Sequence, residues 1–237
     1  MPIYTRDTLQ SDRLPWVDID DFEFFVLGRD VAAMKAAAPP PGPDGHVPFW
    51  GTYQLDPLPS TRQIVPASPR ERIIVVAGEV SVETEYGRVT LKRRDFLEIP
   101  PGGAKLTNVS IATVEIARIA GHWKQVIRNE VAMFEPRHPC DYHYHDGDEY
   151  WFVSRGHFTL DYDGAKYAMQ PGRMMAAGMG FEHGVSAPEE QFEAIVFATQ
   201  LEGRKRDGHL NRAMHGDPVK GRQVPADVDR AFLLEPA

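Results

Sequence analysis

The sequence predicts an all-β protein made of two tandem copies of one unit. Short segments rich in β-branched or aromatic residues, Arg72–Ala77, Glu79–Glu83, Tyr150–Val153 and His157–Tyr162, read as strands, and the second alternates polar and apolar side chains. Turn signals separate these segments, as in a sandwich or barrel. The two blocks also align at a fixed offset of 78 residues, which pairs Glu71 with Glu149, Val75 with Val153 and Gly78 with Gly156. The same offset pairs Gly102 with Gly180, Glu115 with Glu193 and Ala120 with Ala198. Sparse identity over matching hydrophobic character is the mark of an old internal duplication.

In chain order, residues 1–59 read as an N-terminal arm with a Pro-rich loop. The loop, 38–48, carries too much Pro and Gly for a helix or a central strand, and 29–37 before it could form a short helix. Residues 60–125 are the first repeat and 135–202 the second. Residues 203–237 form a polar C-terminal arm whose basic cluster, Arg204–Arg206, reads as a solvated face. Its end, Val228–Leu234, suits one helical turn or a segment packed on a neighbour. The terminal arms are thus expected to be short helices or irregular chain.

Composition narrows the function classes. The chain of 237 residues is long enough for a sizeable core, and its net charge of −8 opposes a nucleic-acid partner. No apolar run approaches the ~18 residues of a membrane span. The start, Met1–Asp7, lacks a signal-peptide pattern, so a cytoplasmic location is expected. Cys140, the one cysteine, cannot form an intrachain disulfide and reads as a small, partly buried thiol. Edge strands and extended arms make a homodimer the expected assembly.

The chemistry concentrates at Asp141–Glu149. His143 and His145 are two apart, so on a strand both rings share a face. Glu149 follows, and His183 lies in the Gly-rich turn Gly178–Gly184. Three imidazoles and a carboxylate suit one divalent Fe, Mn, Ni, Zn or Co. At the 78-residue offset the first repeat carries Val65, Ala67 and Lys105 in place of the histidines and keeps only Glu71. The imidazoles therefore belong to one copy and are not needed for the fold. His122, His138 and His157 read as surface or structural, and Asp146 and Asp148 as turn residues. Tyr142, Tyr144 and Tyr162 read as packing residues. By alternation from an inward Glu149, Trp151 and Val153 also face inside, making Trp151 a candidate substrate-binding wall. Phe158, Met174, Met175, Met179 and Phe181 would give the surroundings an apolar character.

These residues resemble the cupin superfamily. His143-x-His145-x3-Glu149-x6-Gly156 matches the first cupin motif, G-x5-H-x-H-x3,4-E-x6-G, from its first histidine, with Arg137 at the leading glycine. The second motif is matched in part by Pro171-Gly172, Gly178, Gly180 and His183, with Ala187 in place of its asparagine. Ile99-Pro100-Pro101-Gly102 is similar to the same turn in the first copy. The resemblance spans roughly 60–202 and implies a bicupin: two jelly-roll β-barrels, the N-terminal one degenerate. It implies a metal held by His143, His145, Glu149 and His183. It further implies a small-molecule enzyme of dioxygenase or isomerase/lyase type acting on an oxygenated organic acid, enol or sugar derivative, or else a non-catalytic binding or sensor cupin. Fold alone does not choose among these.

Overall fold

The computed structural model describes residues 3–6, 9, 18–29, 58–145, 148–178, 181–186 and 188–200, and their regular secondary structure is almost entirely strand. In chain order the strands are β1 Ile3–Tyr4, β2 Ile19–Leu27, β3 Thr61–Ile64, β4 Arg70–Ala77, β5 Glu79–Thr84 and β6 Gly87–Lys92. Then come β7 Phe96–Glu98, β8 Ala104–Asn108, β9 Val114–Gly121, β10 Gln125–Phe134, β11 Cys140–His143 and β12 Asp148–Arg155. The last five are β13 Phe158–Tyr162, β14 Ala165–Met169, β15 Met174–Ala177, β16 His183–Val185 and β17 Phe192–Gln200. All of the candidate helix at 29–37 except Arg29, the Pro-rich loop at 38–48 and the C-terminal arm at 203–237 lie outside the described residues.

The chain divides into two units, Phe24–Arg118 and Met1–Glu23 with Ile119–Ala237. The strands assemble into four sheets, in the orders β2-β9-β4-β7, β3-β8-β5-β6, β1-β15-β12-β17-β10 and β11-β16-β13-β14. The first pair of sheets repeats the second strand for strand, except that β1 adds a fifth strand beside β15. In the first unit, Leu27, Ile73, Val75 and Ile116 from one sheet meet Ile64, Val80, Val82 and Leu106 from the other in a closed core. In the second, Trp151, Val153, Met175 and Val196 meet Phe158, Leu160, Tyr162 and Val185. This is the two-sheet jelly-roll architecture, expressed twice.

Two features differ from the expectations. No strand was expected before residue 60, yet β1 and β2 lie there and both join sheets. By sheet order β2 is the counterpart of β10, but the long insertion at 28–57 removes it from the 78-residue offset. The second difference is a one-residue shift between the copies. Val82 faces Leu106 in the first unit and Leu160 faces Val185 in the second, so β16 matches β8 at an offset of 79. His183 therefore corresponds to Ala104 rather than Lys105. His143 pairs with His183 and Ile64 pairs with Ala104, so His143 corresponds to Ile64 rather than Val65. Ile64 and Ala104 are buried, whereas Val65 is 75% exposed and Lys105 is also exposed. The first unit thus holds apolar core where the second holds imidazole.

The turn glycines explain why identity survived where it did. Gly78 and Gly156 take φ of 81° and 73°, the left-handed region that glycine enters without steric cost. A Cβ on Gly156 would stand 2.5 Å from the Gln191 carbonyl oxygen.

Glu71 kept its carboxylate without the histidines. It is buried, and its Oε1 takes a hydrogen bond from Arg118 Nε while Oε2 accepts the Ala67 N–H at 3.2 Å. Removing one member of a buried pair strands the other charge, so Arg118→Met should lower the unfolding free energy by roughly 3–5 kcal/mol in urea melts. Arg118→Met combined with Glu71→Gln should recover most of that loss; no recovery would mean the pair is not a stability element.

Candidate metal centre

The second unit brings His143, His145, Glu149 and His183 together, each only 1–2% exposed. Antiparallel pairing sets His143 of β11 opposite His183 of β16, and Tyr162 of β13 continues the same row. His145 stands just past β11, its ring centroid 4.7 Å from that of His143. Glu149 comes from the facing sheet, where it pairs with Ala198 on one side and Ala177 on the other. Small side chains flanking the carboxylate leave the interior at this level to the four polar groups. The leading-glycine position of the motif is filled by Arg137 at φ 65°, so the backbone there keeps a glycine-like conformation.

One candidate ligand atom from each residue lies within 4.8 Å of all the others. Donors that share one ion at about 2.0–2.2 Å stand up to ~4.4 Å apart, so the set fits an ion with little adjustment. The polar inventory agrees. His183 Nδ1 lies 3.1 Å from the Phe181 carbonyl, an acceptor only, so the proton sits on Nδ1 and Nε2 presents its lone pair. That Nε2 is buried without a hydrogen-bond partner. Glu149 is divided between two tasks: Oε1 accepts the Trp151 indole N–H at 2.8 Å, while Oε2 faces His145 Nδ1 at 2.7 Å and His183 Nε2 at 3.8 Å. Despite that proximity Oε2 makes no hydrogen bond of good geometry. Buried imidazole nitrogens gathered round a carboxylate oxygen are an arrangement that a cation would satisfy.

The protonation states match. Burial pushes the His145 imidazolium down to about 4, with Glu149 opposing the shift, so the ring is neutral at pH 7. For Glu149 burial acts upward, but His145 and His183 outweigh it and hold the carboxyl well below the usual carboxylate range. Neutral imidazole and ionised carboxylate are the ligating forms.

Trp151 lies in the core beside the cluster, stacked on Phe134 with centroids 5.2 Å apart, and its N–H orients Glu149. Phe158, Met175 and Phe181 pack into the same core. Met174, which faces Phe152 across β12, alternates to the other side of the sheet, and Met179 lies outside the described residues. Asp148 is buried rather than an exposed turn residue, while Asp146 lies outside the described residues. Tyr144 and Tyr162 are buried, and the Tyr142 hydroxyl accepts the Gly164 N–H at 3.1 Å. Cys140 packs half-buried against the core. His122 sits near Asp20 at 3.4 Å and His157 near Glu190 at 3.1 Å, both away from the cluster. The residue that motif spacing missed is Arg128 of β10, whose Nη1 stands 3.5 Å from Glu149 Oε1. Only the unassigned strand β10, whose even-numbered positions from Arg128 to Phe134 face inward after a register shift between Val126 and Arg128, could have exposed it.

Residues 130–199 match the family described as Cupin domain. The uncharacterized protein y4oW of Sinorhizobium fredii is 28% identical over 230 residues, covering 90% of this chain and 89% of that protein. A cupin 2 conserved barrel domain protein from Leptotrichia buccalis is 17% identical over 60% of this chain and 80% of its own, with a TM-score of 0.38. A mutant of Bacillus subtilis oxalate decarboxylase is 9% identical over 62% of this chain and 67% of its own, with a TM-score of 0.47. No helix among the described residues is long and apolar enough to cross a membrane.

The depressed His145 value has a consequence for metal-free protein. An unfolded chain protonates this imidazole near pH ~6.5, whereas the folded chain resists until about 4. Between these values the unfolded state binds more protons, so stability falls as pH falls through the window. Thermal melts in EDTA should show a Tm that drops from pH 7 toward 4, with a shallower drop in His145→Gln. Identical slopes in the two proteins would contradict the assignment.

Proposed function

The chain belongs to the cupin superfamily through its domain at residues 130–199, and on that premise we propose that it is a mononuclear metalloenzyme. His143, His145, Glu149 and His183 hold one divalent first-row metal, and the substrate is a small oxygenated organic acid, enol or sugar derivative. The observation that carries this reading is the buried cluster of ligand atoms within 4.8 Å of one another, which among the described residues occurs in the second unit, while the first holds Ile64 and Ala104 in its apolar core.

A bound ion would act as a Lewis acid, and four protein ligands would leave one or two octahedral positions for water or substrate oxygens. The protein's own contributions are orientation and exclusion of water. Phe181 fixes the His183 tautomer, so its Nε2 faces inward without a proton. Trp151 holds Glu149 Oε1, which leaves Oε2 as the ligating oxygen. Phe134, Trp151 and Phe158 keep the floor of the site dry. Dioxygenation and isomerisation or elimination are both compatible with this arrangement, and O₂ consumption with substrate separates them.

Protein purified without an affinity tag should carry about one divalent metal per chain by elemental analysis. His143→Ala with His145→Ala should abolish it while circular dichroism stays unchanged. A wild-type chain that neither carries nor takes up metal sinks the reading, and metal-loaded protein that binds such acids and sugars without turnover makes it a binding cupin instead. Trp151→Phe keeps the ring on Phe134 but deletes the donor to Glu149. Its metal affinity should fall about 10- to 100-fold, and unchanged affinity would reduce Trp151 to a packing residue.

A further inference from the structure

We propose that Arg128 is the substrate-recognition residue of this site and that it selects an anionic, carboxylate-bearing substrate. The inference rests on the metalloenzyme reading above and narrows its substrate class to acids.

Strand register places Arg128 on the inner face of the sheet. Arg128 pairs with Ala198 of β17, and Ala198 pairs with Glu149 of β12, so the three share one row across the sheet. Alternation confirms the direction, since Ala132 and Phe134 of the same strand pack into the core of the unit. Ala198 is the one side chain between them, and its single methyl lets the guanidinium reach over to Glu149.

The guanidinium is also pre-set. Its Nε donates to Glu130 Oε1 at 2.9 Å, and Nη2 donates to the same oxygen. Those contacts fix the plane of the fork and leave Nη1 directed at the cluster, 3.5 Å from Glu149 Oε1. At 41% side-chain exposure, Arg128 bridges solvent and a carboxylate that is only 1% exposed. Arg128 balances the buried Glu149 carboxylate as Arg118 balances Glu71, but Arg118 is 9% exposed and Arg128 41%, so only Arg128 can also meet a ligand from solvent. The arginines that the sequence places nearby are committed elsewhere: Arg173 Nη1 donates to the Ala168 carbonyl, and Arg155 lies 4.0 Å from Glu193.

The charges set the selectivity. With a dication on the histidines, Glu149 would neutralise part of the metal charge and Glu130 balances Arg128, leaving about one net positive charge beside Arg128. A carboxylate whose oxygen reaches the ion would meet the remaining Nη1 hydrogen, a charge-assisted contact that a neutral amide cannot match.

The experiment uses full-length protein loaded with Co²⁺ or Mn²⁺ and two probes of equal shape, glycolate and its neutral amide glycolamide. Arg128→Gln should keep one metal per chain, weaken glycolate binding on the order of tenfold, and change glycolamide binding by less than about twofold. Arg128→Lys should fall between wild type and Arg128→Gln, because it keeps the charge but loses the fork. Equal effects on both probes, no effect on either, or no glycolate binding by metal-loaded wild type would overturn the proposal and leave the metal assignment standing. Loss of metal in folded Arg128→Gln would likewise overturn it, since Arg128 would then be positioning Glu149. A wild-type chain that takes up no metal would instead fail the underlying reading.

Discussion

The site depends on one strand register, the pairing of His143 on β11 with His183 on β16. In an antiparallel pair a slip of a single residue turns every side chain to the other face. That slip here would swing His183 outward and replace it inside with a neighbour. The facing sheet imposes the matching condition, because Glu149 must alternate inward between Ala177 and Ala198. Two sheets, each in fixed register, therefore meet at one buried point, and neither sheet alone carries the set.

The first unit shows what the same fold does without that requirement. Ile64 and Ala104 occupy the strand positions of His143 and His183, and both join the apolar core. Glu71 remains at the position of Glu149, but Arg118 and the Ala67 N–H satisfy it. A buried carboxylate must find cations or donors. One unit uses a guanidinium and closes its interior; the other surrounds the carboxylate with imidazoles.

Much of this was legible in the sequence because the relevant constraints are local. Gly78 and Gly156 mark left-handed turns that few residues tolerate, so they anchor the repeat. His143, His145 and Glu149 lie within seven residues, where spacing on a strand dictates facing. What was not legible is long-range. β2 and β10 begin at residues 19 and 125, far from the offset that reveals the other strands, because an insertion follows β2. Aligned letters hide the one-residue shift between β8 and β16 until pairing partners are known. Arg128 was missed for the same reason: its strand was unassigned, and its approach to Glu149 runs across β17 rather than along the chain.

The central claim is that these four residues form a metal centre with an imidazole-dominated, sulfur-free ligand shell. X-ray absorption at the metal edge of protein isolated without added metal tests it most directly. The account predicts imidazole scattering from three histidines, His143, His145 and His183, plus oxygen ligands. A first shell containing sulfur from Cys140, or one with no imidazole scattering, would contradict it.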